Sequence, residues 1–139
     1  DGAFILGQDI SNHSEQAILA RLMDVDREFA PYSEVRIFTL GKYGAWICID
    51  KVAPINIPVI PTEVRNRTGA GDTFAAGFIA FLFDHIKTAQ DYAALNPEKK
   101  IGLLSDCAKY ATAAASLKVS SGEAPDREKL DEFFTKKYK

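Results

Sequence analysis

Asn66-Arg67-Thr68-Gly69-Ala70-Gly71-Asp72-Thr73-Phe74-Ala75-Ala76-Gly77-Phe78 joins a glycine-rich turn to the start of a helical pattern. Phe74, Phe78, Phe81, Leu82 and His85 recur at i, i+4, i+7, i+8 and i+11, which is one stripe of a 3.6-residue period. Two glycines around one alanine let the backbone turn sharply and put no side chain over it. The first N–H groups of a helix have no partners within it, and the positive end of the helix dipole lies behind them. A helix beginning at Ala70 therefore offers a seat for an anion. Asp72 falls in its first turn. An aspartate there complements the dipole, worth about 0.3–1 kcal/mol, or stands as a base beside the anion seat.

Working outward, residues 35–40 (VRIFTL) and 45–50 (AWICID) are rich in β-branched and aromatic residues and predict two strands around a turn with Gly41 and Gly44 at its ends. A third strand is expected over 55–60, confined to an edge because Pro54, Pro58 and Pro61 cannot donate to a ladder. Residues 3–6 form a short apolar run that predicts a buried strand, broken by Gly7-Gln8-Asp9. Asn12 with Glu15 resembles a capping box, ahead of Ile18, Leu22, Val25 and Phe29 at helical spacing. Downstream, Asn96-Pro97 reads as a loop, 103–119 as an alanine-rich helix apolar on most faces, and 126–138 as a closing surface helix. The order predicts one α/β domain over 1–139, a partly parallel sheet flanked by helices, with 35–60 as an antiparallel edge.

The chain has 139 residues, 47% of them apolar and 26% charged, with 17 basic against 19 acidic side chains. That is ordinary for a globular domain, and a net charge of −2 recommends neither nucleic acid nor an anionic membrane as partner. Cys48 and Cys107 lack any paired spacing and read as buried thiols of a reducing compartment. No run approaches the roughly 20 apolar residues of a membrane span, and the first residues do not follow the order of a signal peptide, so a cytoplasmic location is expected. His13 and His85 have no metal-ligand spacing, His85 reading as a packed helix-end residue and Lys42 as a solvated turn lysine.

Other glycine motifs fit the stretch poorly. In a dinucleotide-binding turn the third glycine would fall at Phe74, and an anionic side chain would face the pyrophosphate. A P-loop needs GxxxxGK[ST], which the chain lacks. Phosphoryl transfer to an alcohol suits it better: a carboxylate (Asp72) takes the hydroxyl proton while backbone N–H groups of Gly69, Ala70 and Gly71 meet the charge on the phosphate.

Thr68-Gly-Ala-Gly-Asp-Thr-Phe-Ala-Ala-Gly-Phe78 closely resembles the C-terminal signature of the PfkB/ribokinase family of carbohydrate kinases. The resemblance implies a ribokinase-like layered fold and ATP-dependent phosphorylation of a hydroxyl on a sugar or similar small polyol. It makes Asp72 the base, Gly69, Ala70 and Gly71 the anion hole, and Thr68 part of the nucleotide site. Thr39, Gly41 and Gly44 resemble the family's TLGxxG turn beside the ATP phosphates. Residues 112–122, from Thr112 to Gly122, resemble the helix and loop that border the adenine and a monovalent-cation site. ATP, magnesium and a potassium-like ion are the cofactors it implies. The family includes nucleoside kinases, which leaves the acceptor open.

The chain departs from the family pattern in places. Asn66 stands where many members have an aspartate beside the cation site, Thr112 where an adenine-loop asparagine is common, and the magnesium-linked NxxE motif is not supplied near 6–12, with Asp9 a weak substitute. The resemblance covers about the second half of a typical member, and Asp1-Gly-Ala-Phe-Ile-Leu enters straight into an apolar run. We therefore expect the sugar-binding half and lid to belong to a longer protein, and self-association through sheet surface left open. A non-catalytic nucleotide-binding or interaction module is the alternative that fits the same residues.

Overall fold

The computed structural model describes residues 14–139 throughout and, before them, the backbone of two short strands. These are β1 (Phe4–Ile5) and β2 (Gln8–Asp9), paired antiparallel with Phe4 opposite Asp9. The break expected at Gln8-Asp9 is thus a second strand. The capping residue proposed at Asn12, and His13, lie outside the described residues. The chain divides into two compact units, Asp1–Val59 and Ile60–Lys139, where the sequence pattern suggests one domain.

In the first unit, helix α1 (Glu15–Phe29) is capped by Ser14, whose side chain accepts the Ala17 N–H. Its apolar stripe of Ile18, Leu22 and Val25 is buried with Leu40 and packs on Phe38, Tyr43 and Trp46. Three antiparallel strands follow in the order β3 (Val35–Thr39), β4 (Ala45–Ile49), β5 (Ile55–Ile57). The predicted antiparallel edge is present, with β5 outermost and stopped by Pro58, three residues short of the expectation. Among the described residues every strand pair is antiparallel.

A buried ion pair ties α1 to the sheet. Arg36 donates from Nε and Nη2 to both oxygens of Asp26, at 2.6 and 3.1 Å, and from Nη1 to Asp50 at 2.6 Å. The hydrogen bonds that Arg36 donates to Asp26 and Asp50 outweigh its burial and raise its pKa further. Cys48 and Cys107 are buried as expected, and burial pushes their pKa values up to about 11 and about 12. Neither thiol is a ready nucleophile.

The second unit is helical. Helix α2 (Ala70–His85) lies along α4 (Pro97–Ser121), closely enough that a Cβ on Gly77 would sit 3.1 Å from the Ala114 Cβ. Ala111 and Ala114 make that approach possible and are fully buried. The predicted loop at Asn96-Pro97 is the start of α4: Asn96 accepts the Lys99 N–H, and Pro97 occupies a first-turn position where no N–H is needed. Between them lies α3 (Ala89–Ala93), which hydrophobic periodicity does not reveal because none of its residues is fully buried; its signal is the Thr88/Asp91 capping box. Helix α5 (Arg127–Tyr138) closes the unit, setting Leu130 and Phe134 against Tyr110, Ala113 and Ala114. His85 ends α2 stacked on Phe81, as its position in the stripe predicts.

Candidate functional site

The glycine-rich turn sits between a fixed approach and a helix. Arg65 and Asn66 donate their backbone N–H groups to one acceptor, the Val119 carbonyl in the last turn of α4, at 2.9 and 3.0 Å. Asn66 Oδ1 then accepts the Thr68 N–H at 2.9 Å. Gly69 follows in the left-handed region, φ +81°, a conformation that costs other residues about 1–2 kcal/mol. Helix α2 begins at the next residue.

The N–H groups of this turn divide into engaged and open. The Ala70 N–H closes on the Arg67 carbonyl at 3.2 Å, and the Thr73 N–H reaches the Gly69 carbonyl at 2.9 Å. Among the described residues, the Gly71 and Asp72 N–H groups between them take no carbonyl. Ala70, expected as an open donor, is therefore not one; Asp72 contributes its own N–H instead. Gly71 and Asp72 are exposed, so donors and carboxylate share a solvent-facing helix start. Gly71 has no positive φ, and a Cβ there would meet nothing within 4 Å. Neither backbone nor packing demands glycine at 71, and its missing side chain keeps the two N–H groups approachable.

Residues from the alanine-rich helix fall on both sides of this division. Thr112 is buried in the middle of α4, and its hydroxyl donates to the Ala108 carbonyl at 2.7 Å. Gly122 is at the turn: it caps α4 in the left-handed region, φ +83°, and a Cβ on it would lie 4.0 Å from the Asn66 Cβ. Lys118 joins the two glycines. Its Cε lies 3.5 Å from where a Gly69 Cβ would be, and its Nζ donates to the Gly122 carbonyl at 2.6 Å. Sequence reading passes over this lysine, although a basic residue one turn before a C-capping glycine signals it.

The donor set can be tested against the implied monovalent cation. Asn66 Oδ1 already holds the Thr68 N–H, and the Gly122 carbonyl already holds an ammonium. Those two oxygens fit a free ion poorly. Among the described residues no three His, Cys, Asp or Glu side chains gather to hold a metal. Of Asp9 only the backbone is described, and the rest of the expected magnesium motif around it lies outside the described residues.

Thr39, Gly41 and Gly44 belong to the first unit, where they form the β3–β4 turn. Thr39 pairs with Ala45, and the turn closes on itself: Leu40 N–H to Gly44 O at 2.9 Å, Tyr43 N–H to Leu40 O at 3.0 Å, and Gly44 N–H to Gly41 O at 3.1 Å. Asn56 of β5 donates to the Tyr43 and Ala45 carbonyls, both at 3.3 Å. Gly44 has φ +80°, and a Cβ on it would fall 2.3 Å from the Ile57 carbonyl oxygen. Gly41, φ +54°, is exposed with free space around it. Lys42 is exposed beside it, its ammonium 5.1 Å from the Tyr43 ring centre.

The profile of pfkB family carbohydrate kinases matches residues 2–129. Arabidopsis thaliana ribokinase, solved with ribose and ATP, is 25% identical with a TM-score of 0.59. The match covers 91% of this chain and 36% of that one. Aminoimidazole riboside kinase from Salmonella enterica, with its riboside and an ATP analogue, is 20% identical at a TM-score of 0.61, covering 89% and 38%. A fructokinase double mutant from Vibrio cholerae O395, with fructose, ADP and a potassium ion, is 22% identical at 0.58, covering 88% and 35%. The chain thus has the ribokinase-like α/β fold and spans little more than a third of these chains. No curated protein sequence matches it.

Proposed function

The chain belongs to the pfkB family of carbohydrate kinases, and on that premise we propose that it carries the phosphate-binding turn and catalytic base of an ATP-dependent kinase. The acceptor is a hydroxyl of a sugar, a small polyol or a nucleoside. One observation carries the reading: two open N–H groups, at Gly71 and Asp72, begin a helix whose first turn also holds the Asp72 carboxylate. The dipole-complementing role of Asp72 remains true but leaves unexplained a glycine at 71 that the fold does not require.

In the proposed reaction the acceptor hydroxyl gives its proton to the Asp72 carboxylate as its oxygen bonds to the γ-phosphorus of ATP. The bond from that phosphorus to the bridging oxygen breaks, and its electron pair leaves on ADP. The Gly71 and Asp72 N–H groups donate to the oxygens of the transferring phosphoryl group, where charge is concentrated. Magnesium bound with ATP would neutralise charge across the phosphates. The end of α4 and Gly122 border the turn and are proposed to wall the nucleotide site, although the Val119 and Gly122 carbonyls and the Thr112 hydroxyl are already engaged. Gly41, exposed and unhindered, is a separate candidate for nucleotide contact. No described helix is long and apolar enough to cross a membrane. Exposed Ile79 and Phe83, one turn apart on α2, support self-association of the chain.

Titration with a non-hydrolysable ATP analogue and magnesium tests the turn, wild type beside Gly71→Val. Binding lost in the variant supports the seat; equal binding by both removes it. The base is read in the longest form of the protein that phosphorylates a sugar. There Asp72→Asn is expected to lower kcat by about 10²–10⁴, while KM for ATP stays nearly constant. A kcat within a few-fold of wild type would return Asp72 to dipole complementation.

A further inference from the structure

We propose that the Lys118 ammonium is a built-in cation of the α2 turn, taking the place of a free monovalent ion and, by fixing Gly69, positioning the Gly71 and Asp72 N–H groups for phosphate. The proposal rests on the reading of that turn as a phosphate seat, and three observations carry it. Lys118 Nζ donates to the Gly122 carbonyl at 2.6 Å, an oxygen left over at the left-handed end of α4. The same side chain packs its Cε beneath Gly69, 3.5 Å from its Cβ position, so one lysine bridges the end of α4 and the residue that launches α2. The neighbouring acceptor, Asn66 Oδ1, is a neutral amide already holding the Thr68 N–H.

Charge placement gives the arrangement its consequence. A cation at the C-terminal end of α4 is favourable, because the last carbonyls carry partial negative charge. The same cation beside the N-terminal end of α2 adds positive charge to a place already positive. That second half is unfavourable until an anion arrives and reinforces whatever phosphate the open N–H groups accept. An aspartate at 66 would pair with this ammonium and cancel its field; asparagine does not. Lys118 is half-buried, so its stem is held by packing, and its head is fixed by one short hydrogen bond. It is a positioning residue: it acts through Gly69 and Gly122.

Thermal unfolding in potassium chloride and in choline chloride at equal ionic strength tests this without any nucleotide. Wild type is expected to melt at the same temperature in both salts. Lys118→Met, which keeps the stem and removes the charge, is expected to melt lower in choline and to recover in potassium, the ion entering where the ammonium was. A potassium-dependent wild type overturns the proposal, as does a Lys118→Met protein that melts alike in both salts. Should Lys118→Met fold in neither, Lys118→Gln is read by the same rule: a potassium response supports the proposal and its absence overturns it. Titration with the ATP analogue and magnesium adds a second readout, an expected loss of about tenfold for Lys118→Met in choline, with Lys118→Arg close to wild type. Absence of wild-type binding would sink the phosphate-seat reading, and the salt-dependent melts would still decide the place of the lysine.

Discussion

Two glycine-rich turns in this chain look alike in sequence and differ in what their glycines are for. In the turn from Gly41 to Gly44 the fold uses up the local polarity: three backbone hydrogen bonds close it, Asn56 braces it from β5, and Gly44 backs onto the Ile57 carbonyl. In the turn from Gly69 to Asp72 only the first glycine answers a conformational demand. Gly71 answers none, and the N–H groups beside it stay open. A glycine whose removal the fold would tolerate, next to unused donors and a carboxylate, is better explained by a ligand than by folding. Resemblance to a family motif assigns both turns to ATP; the physical contrast favours one of them.

The largest effect that could break this contrast is at Gly44. Alanine there must hold φ near +80° and push its Cβ against a backbone oxygen 2.3 Å away. We expect a loss on the order of 3 kcal/mol or more, strain and clash together. The chain's one tryptophan, Trp46, lies two residues beyond Gly44 and packs on the α1 core, so its fluorescence during urea unfolding follows this unit. A loss below about 1 kcal/mol would mean that β5 moves aside easily and that Gly44 is as free for a ligand as Gly71.

The demand at Gly44 was not legible in the sequence, because it comes from a residue thirteen positions away in β5. What sequence could show was local: the Ala70 helix start, the alternating strands at 35–39 and 45–49, and the alanine-rich stripe of α4. It could not show which N–H groups of a glycine turn are open, since that depends on where the Arg67 and Gly69 carbonyls point. Thr112 likewise sits in a helix that the sequence identified, but its burial, with the hydroxyl turned onto the Ala108 carbonyl, is set by tertiary packing. Lys118 was missed for the opposite reason: a lysine near a helix end is so ordinary that only its contact with Gly69 singles it out.

The next effect falls within α2 itself and sharpens the comparison. Gly77 is six residues beyond Gly71 in the same helix, but its Cβ position is 3.1 Å from Ala114 and 3.2 Å from the Ala111 Cα. Gly77→Val should overpack this contact and lower stability by about 2–3 kcal/mol, read by far-UV circular dichroism in urea. Gly69→Ala comes next, at about 1–2 kcal/mol, the ordinary cost of a left-handed alanine, since the nearest atom to its new methyl is a lysine stem at ordinary contact distance. If Gly77→Val cost less than Gly69→Ala, the α2–α4 contact would be looser than its alanines indicate.

Gly71→Ala has the smallest effect on stability and the most to say. Glycine inside a helix costs roughly 0.5–1 kcal/mol against alanine, and nothing lies within 4 Å of the added methyl. Stability should therefore stay level or rise by up to about 1 kcal/mol. Binding of the ATP analogue should move the other way, weakening at least about tenfold as the methyl covers the two donors and a phosphate loses a charge-assisted bond. Opposite signs in one variant separate a functional glycine from a structural one, which neither measurement does alone. A variant that is more stable and binds unchanged would leave Gly71 without a role and place the phosphate elsewhere. A variant that is less stable would show that this turn has a folding demand after all, and the contrast with Gly44 would become one of degree.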